Sequence, residues 1–193
     1  MGYLTNYAPQ GFNLVREVFI ETGTYAAMTL RAAARAGYKT LHSIELNEVM
    51  YRQAVAALPD IAGGADVHLH LGTSPFILPL VMDGSKPTLF WLDAHWCGGA
   101  PTEKPCSWDK DYGQCPLVAE LQAIMAVKWQ TPPYILIDDA QMFTRTRFPG
   151  SFDEKQWPTV ERIKELMPGP NYELGLYVDC IYCLPGECLG TPL

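Results

Sequence analysis

A chain of 193 residues with 48% apolar and 18% charged residues has the make-up of one globular domain, residues 1–193, with a sizeable core. Its net charge of −7 and lack of any Lys/Arg cluster argue against a nucleic-acid backbone as partner. No apolar stretch reaches membrane-spanning length and Met1–Asn6 lacks signal-peptide regions, so the expectation is a cytoplasmic protein with reduced thiols and no membrane partner.

Apolar runs alternate with amphipathic segments, which predicts β-α-β units and a mostly parallel α/β sheet with helices on both faces. The first predicted strand is Val18–Thr22, followed by an Ala-rich helix over Tyr25–Ala36 that stops at Gly37. Leu41–Leu46 is the second strand, and a helix over Glu48–Leu58 is ended by Pro59. Val67–Leu71 is the third, after which Ser74 reads as the N-cap of a helix with Pro75 at its first position, running through Met82. Thr88–Leu92 is the fourth strand, and the long segment from Ala94 to Cys115 reads as an ordered functional loop. Pro116–Lys128 is predicted helical and Tyr134–Ile137 extended. An irregular stretch follows from Met142 to Gln156, then a helix over Pro158–Met167. Tyr172–Tyr177 and Cys180–Leu184, joined through Val178-Asp179, predict a closing antiparallel hairpin.

Acidic residues end four of these apolar runs: Glu21, Glu45, Asp93 and the pair Asp138-Asp139. Each would stand at the carboxyl end of a buried strand, the edge at which open α/β sheets bind ligands. The loop after the first strand, Glu21-Thr-Gly-Thr-Tyr-Ala-Ala-Met-Thr29, has one glycine, Gly23, where a pyrophosphate needs several. Glu21 suits the cationic amino-acid end of S-adenosylmethionine, through water or by orienting the loop, and hydroxyls of Thr24, Tyr25 and Thr29 suit its carboxylate. A solvated strand end is the alternative for Glu21. Glu45 can accept both hydroxyls of a ribose, and Gly72-Thr73-Ser74 can border an adenine.

Asp93, Asp138 and Asp139 would repel one another unless a cation sits among them. All-oxygen ligation favours Mg²⁺ or another divalent ion of that kind. The alternative is a helix cap at Asp138-Asp139 and a loop-ordering Asp93. His95, two residues past Asp93, can act as general base or merely pack and hydrogen-bond within its loop. Of the six cysteines only Cys180 and Cys183 are closely paired, and free thiols are the better reading than zinc ligation.

These blocks, with Ile44-Glu-Leu-Asn47, Leu71-Gly-Thr-Ser74, Leu92-Asp-Ala-His-Trp96 and Ile137-Asp-Asp139, resemble the class I S-adenosylmethionine methyltransferases. They look most like the metal-dependent O-methyltransferases of the catechol and macrolide-sugar types, across Val18 to Asp139. The resemblance implies a Rossmann-like methyltransferase fold. It places Glu21, Gly23, Tyr25 and Thr29 at the methionine end, Glu45 at the ribose, and Thr73, Ser74 and His95 or Trp96 at the adenine. It makes Asp93, Asp138 and Asp139 the metal ligands and His95 the base.

Three departures stand out. Ala27 replaces a glycine usual late in the first loop. No lysine lies near Trp96, where the catechol enzymes carry one. Only 17 residues precede the first strand, too few for their helical cap. Substrate would be covered by the segments 97–115 and 142–157, with Trp108, Tyr112, Phe148, Phe152 and Trp157 available to stack on a ring. The expectation is an O-methyltransferase for a hydroxyl of a small molecule or sugar, in a vicinal diol or catechol. The alternatives are an NAD-linked oxidoreductase and a non-catalytic S-adenosylmethionine- or zinc-binding module. A homo-oligomer is left open.

Overall fold

The computed structural model describes residues 13–97, 110–146, 152–167 and 172–186. Their strands form one seven-stranded sheet in the order β3-β2-β1-β4-β5-β7-β6. Five strands run parallel: β1 (Val18–Thr22), β2 (Thr40–Glu45), β3 (Asp66–Leu71), β4 (Thr88–Leu92) and β5 (Tyr134–Asp138). The hairpin of β6 (Tyr172–Tyr177) and β7 (Cys180–Pro185) then adds to β5 through an antiparallel pairing by β7. This is the Rossmann-like methyltransferase fold.

Both faces are covered, as the unbroken burial of β1 and β4 requires. Phe19, Leu41, Leu89 and Trp91 pack with Leu30 and Ala33 of α1 (Met28–Ala36) and with Ala54 and Ile61 of α2 (Glu48–Ile61). On the opposite face Ile20, Phe90, Leu92 and Ile137 pack with Leu78 of α3 (Ser74–Val81), Leu121 and Ile124 of α4 (Leu117–Met125) and Ile163. A short α5 (Ala140–Phe143), a 3-10 turn at Glu154–Gln156 and α6 (Val160–Leu166) complete the described chain. None of its helices is long and apolar enough to cross a membrane.

Several element ends differ from the sequence expectations by a few residues, some for a plain local reason. α1 begins at Met28 rather than Tyr25, because Tyr25 (φ 41) and Ala27 (φ 54) take left-handed backbone. The missing loop glycine therefore coincides with a conformation that favours glycine. α2 continues through Pro59 to Ile61, since a proline in a last turn forfeits only its own helical bond. Thr73, not Ser74, stands at the N-cap position of α3, without a side-chain capping bond, and the Ser74 hydroxyl donates to Glu120 instead. Residues 142–156, expected to be irregular, include the second half of α5 and the 3-10 turn.

Of the described cysteines, Cys115, Cys180 and Cys183 are free thiols. Cys180 and Cys183 enter the two opposite core layers. Three residues apart on a strand they point to different faces, so they cannot chelate one ion. Cys106, Cys188, Trp108 and Phe148 lie outside the described residues.

Candidate active site

The strand order reverses direction between β1 and β4, and there the loops after the two strands separate. A cleft of about 570 Å³ opens at that carboxyl edge, within the range of small-molecule sites. Of the expected residues, Gly23, Tyr25, Glu45, Gly72, Thr73, Ser74, Asp93, His95, Asp138 and Asp139 line it. Glu21, Thr24 and Thr29 do not.

The loop after β1 is held from several sides. Gly23 takes φ +84, and a β-carbon there would run into the backbone carbonyl of Asp93. Its N–H donates to the carbonyl of Ile44 at 2.9 Å. Glu45 Oε2 accepts the N–H of Tyr25 at 2.9 Å, and Oε1 accepts that of Asn47 at 2.7 Å. Each carboxylate oxygen keeps a further lone pair for a ligand hydroxyl. Ile44, Leu46 and Met50 give this end an apolar wall.

Glu21 lies beneath the loop, 1% exposed. It accepts the Ser43 hydroxyl at 2.6 Å, and Ser43 in turn contacts the Thr24 hydroxyl at 2.5 Å. Burial pushes the Glu21 carboxyl up to about 8, against the hydrogen bond from Ser43. Glu21 and Thr24 thus support the loop from inside, and Thr29 stands at the second position of α1.

The carboxylates of β4 and β5 meet at the other end. His95, its side chain 7% exposed, lies between two of them: Nε2 is 3.1 Å from Asp93 Oδ1 and 3.2 Å from Asp139 Oδ2. Neither oxygen lies along the ring N–H, and Nδ1 has no hydrogen-bond partner among the described residues. Burial opposes the imidazolium, but Asp139 and Asp93 outweigh it and raise the histidine to about 10. Asp139 is held below the usual carboxylate range, first by His95. Burial and then Asp93 push Asp138 up to about 7. Asp139 also takes left-handed backbone, φ 55, a local strain of the kind found at functional sites.

As arranged, these residues form a carboxylate–imidazolium cluster. Among the described residues no group of three or more His, Cys, Asp or Glu side chains is set to hold a metal ion. The histidine occupies the gap between Asp93 and Asp139, and a divalent cation would have to expel it.

His95 rests on an aromatic floor. Its ring lies 5.2 Å from that of Trp157, which packs against Phe152 and Phe143. Gln114, 5% exposed, joins the two segments beneath the site. Its carbonyl accepts the Trp96 N–H, and its side-chain oxygen accepts the Asp153 and Trp157 Nε1 hydrogens. Trp157, expected to be free to stack on substrate, is 3% exposed and structural. Tyr112 remains 39% exposed.

Sequence reasoning missed Glu120 and Gln114. Both are buried polar side chains, and nothing in their local sequence marks them as such.

The fold and this cleft define the methyltransferase type of Rossmann-like sheet. No family model matches the chain, and no curated protein matches it in sequence. Solved structures share its fold. The SAH-bound methyltransferase PaMTH1 of Podospora anserina has a TM-score of 0.62 at 16% identity, over 87% of this chain and 70% of that one. An O-methyltransferase from Bacillus cereus in complex with SAH gives 0.60 at 12%, over 88% and 74%. The O-methyltransferase TomG from Streptomyces achromogenes, involved in tomaymycin synthesis and in complex with SAM, gives 0.57 at 18%, over 88% and 73%. At these identities the likeness is one of fold.

Proposed function

We propose that this chain is an S-adenosylmethionine-dependent O-methyltransferase acting on a hydroxyl of a small molecule or sugar. One observation carries the reading. A single cleft joins a nucleoside-suited end, made by Gly23, Tyr25, Glu45 and Gly72–Ser74, to the polar cluster of Asp93, His95, Asp138 and Asp139. The SAM- and SAH-bound neighbours of the same fold support it.

S-Adenosylmethionine, when bound, supplies an electrophilic methyl group. Glu45 would hold the ribose hydroxyls, and the backbone of Gly23–Tyr25 would border the methionine end. Gly72, Thr73 and Ser74 would flank the adenine with Ile44, Leu46 and Met50. Asp93, His95 and Asp139 form one charge-coupled unit near the position a substrate hydroxyl would take. To take the hydroxyl proton His95 would first have to release its own to solvent, and the two aspartates would then stabilise the imidazolium re-formed. Positioning of the oxygen against the methyl would supply much of the rate.

The Mg²⁺ expectation rests on donor chemistry, three hard carboxylates at one edge. The placing of His95 works against it. A nicotinamide-linked reaction is disfavoured by the single glycine of the first loop.

Calorimetric titration with SAM, SAH and NAD, with Mg²⁺ and then with EDTA, tests the reading. Micromolar binding of SAM and SAH without NAD is expected, followed by methyl transfer to vicinal diols or catechols. Binding of NAD alone would overturn it.

A further inference from the structure

Glu120 lies on α4, 46 residues from Ser74 in sequence, and is 1% exposed. A buried carboxylate costs several kcal/mol of desolvation unless hydrogen bonds offset it, so its partners matter. Oε1 accepts the hydroxyl of Ser74, which lines the cleft. The hydroxyl of Thr22, at the end of β1, lies close enough to the Glu120 carboxyl to lower its pKa, as does that of Ser74. Thr22 Oγ1 also accepts the backbone N–H of Asp93 at 3.3 Å, beside the 3.0 Å bond from that N–H to the Thr22 carbonyl.

A chain of contacts therefore runs from the Asp93 backbone through Thr22 to Glu120 and on to Ser74. Its two ends border the cleft, whereas Thr22 and Glu120 are wholly beneath it. Burial pushes the Glu120 carboxyl up to about 7 despite the hydroxyls of Ser74 and Thr22. Such a carboxyl adds to folding only what its hydrogen bonds return against that desolvation.

We infer that Glu120 is a positioning residue: it fixes Ser74 at the start of α3 and, through Thr22, the backbone of Asp93, and so sets the spacing of the two cleft walls between which the nucleoside binds. This rests on the proposed S-adenosylmethionine site. Glu120 touches no ligand; it acts through residues that do.

A folding role and a positioning role predict different outcomes for Glu120→Met, which keeps volume but removes both oxygens. Positioning predicts that the folded variant binds SAH about tenfold more weakly, the cost of losing charge-assisted hydrogen bonds that hold the walls. Glu120→Gln, which keeps an acceptor for Ser74, should rescue affinity to within about threefold. A lower Tm with SAH affinity intact in Glu120→Met would overturn the inference and leave the function standing. Wild-type protein that binds no SAH would overturn the function and the inference with it. Should Glu120→Met not fold, Thr22→Val removes one partner without touching the cleft. A loss of about threefold or more is then expected, and unchanged affinity would refute the role.

Discussion

The backbone N–H of Tyr25 donates to Oε2 of Glu45 across 2.9 Å, tying the loop after β1 to the end of β2. Tyr25 holds φ 41, outside the usual range for a side-chain-bearing residue. Such strain persists only when surrounding contacts over-determine it, and the Glu45 carboxylate is one of those contacts. One side chain thus shapes the loop and lines the cleft.

Replacing Glu45 by Gln should therefore harm binding twice. Its amide can accept one of the two N–H groups but presents donors to the other. Hydrogen bonds to charged groups contribute about 1.5–3 kcal/mol each, so SAH affinity measured by calorimetry should fall by about tenfold or more. Unchanged affinity would remove Glu45 from the ribose site.

Gly23→Ala should destabilise the protein by about 1–3 kcal/mol in denaturant unfolding. Gly37→Ala is the control. Gly37 has φ +97 with open space around the added carbon, whereas at Gly23 that carbon meets the Asp93 carbonyl. The difference between the two variants isolates the collision. Equal losses would mean that backbone conformation alone requires the loop glycine.

Stability should depend on pH through Glu21. Its folded carboxyl is raised from 4.5 to about 8, so between those values the folded state binds more protons than the unfolded one. Stability from this group is full below about pH 4.5 and is lost as pH rises towards 8. Glu21→Gln keeps an acceptor for Ser43 without the charge. Unfolding measured at pH 5 and pH 8 should show a smaller decline for the variant, and parallel declines would contradict the raised carboxyl.

Removing His95 leaves Asp93 and Asp139 without the cation between them. His95→Ala should lower stability by about 1–3 kcal/mol, less than a fully buried pair because both carboxylates are about one-third exposed. The vacated gap should admit a divalent cation, so added Mg²⁺ should raise the Tm of His95→Ala more than that of the wild type. Equal shifts would show that the histidine does not compete with a metal.

Why some residues were legible and others not follows from strand geometry. An acidic residue after an apolar run marks the carboxyl end of a strand, and Glu45, Asp93, Asp138 and Asp139 all reach the cleft from such ends. Glu21 follows the same rule in sequence, yet it sits one residue before the end of β1 and pairs in register with Ser43 and Trp91. Its side chain enters the interior, because alternation along a strand, not proximity to its end, decides direction. His95 was visible as a neighbour of Asp93; its place between Asp93 and Asp139 required β4 and β5 to be adjacent.

The order of apolar runs, the turn residues and the strand-end carboxylates determined by themselves an α/β sheet with a closing hairpin and a polar carboxyl edge. Those signals are local, set by side-chain period and backbone preference. Tertiary structure alone decided that Glu120 meets Ser74, that Gln114 joins two distant segments, and that an imidazole fills the gap between two aspartates. Such pairings depend on how α3, α4 and the loops pack over the sheet. A buried polar side chain carries no mark in its own segment of the partner that will satisfy it.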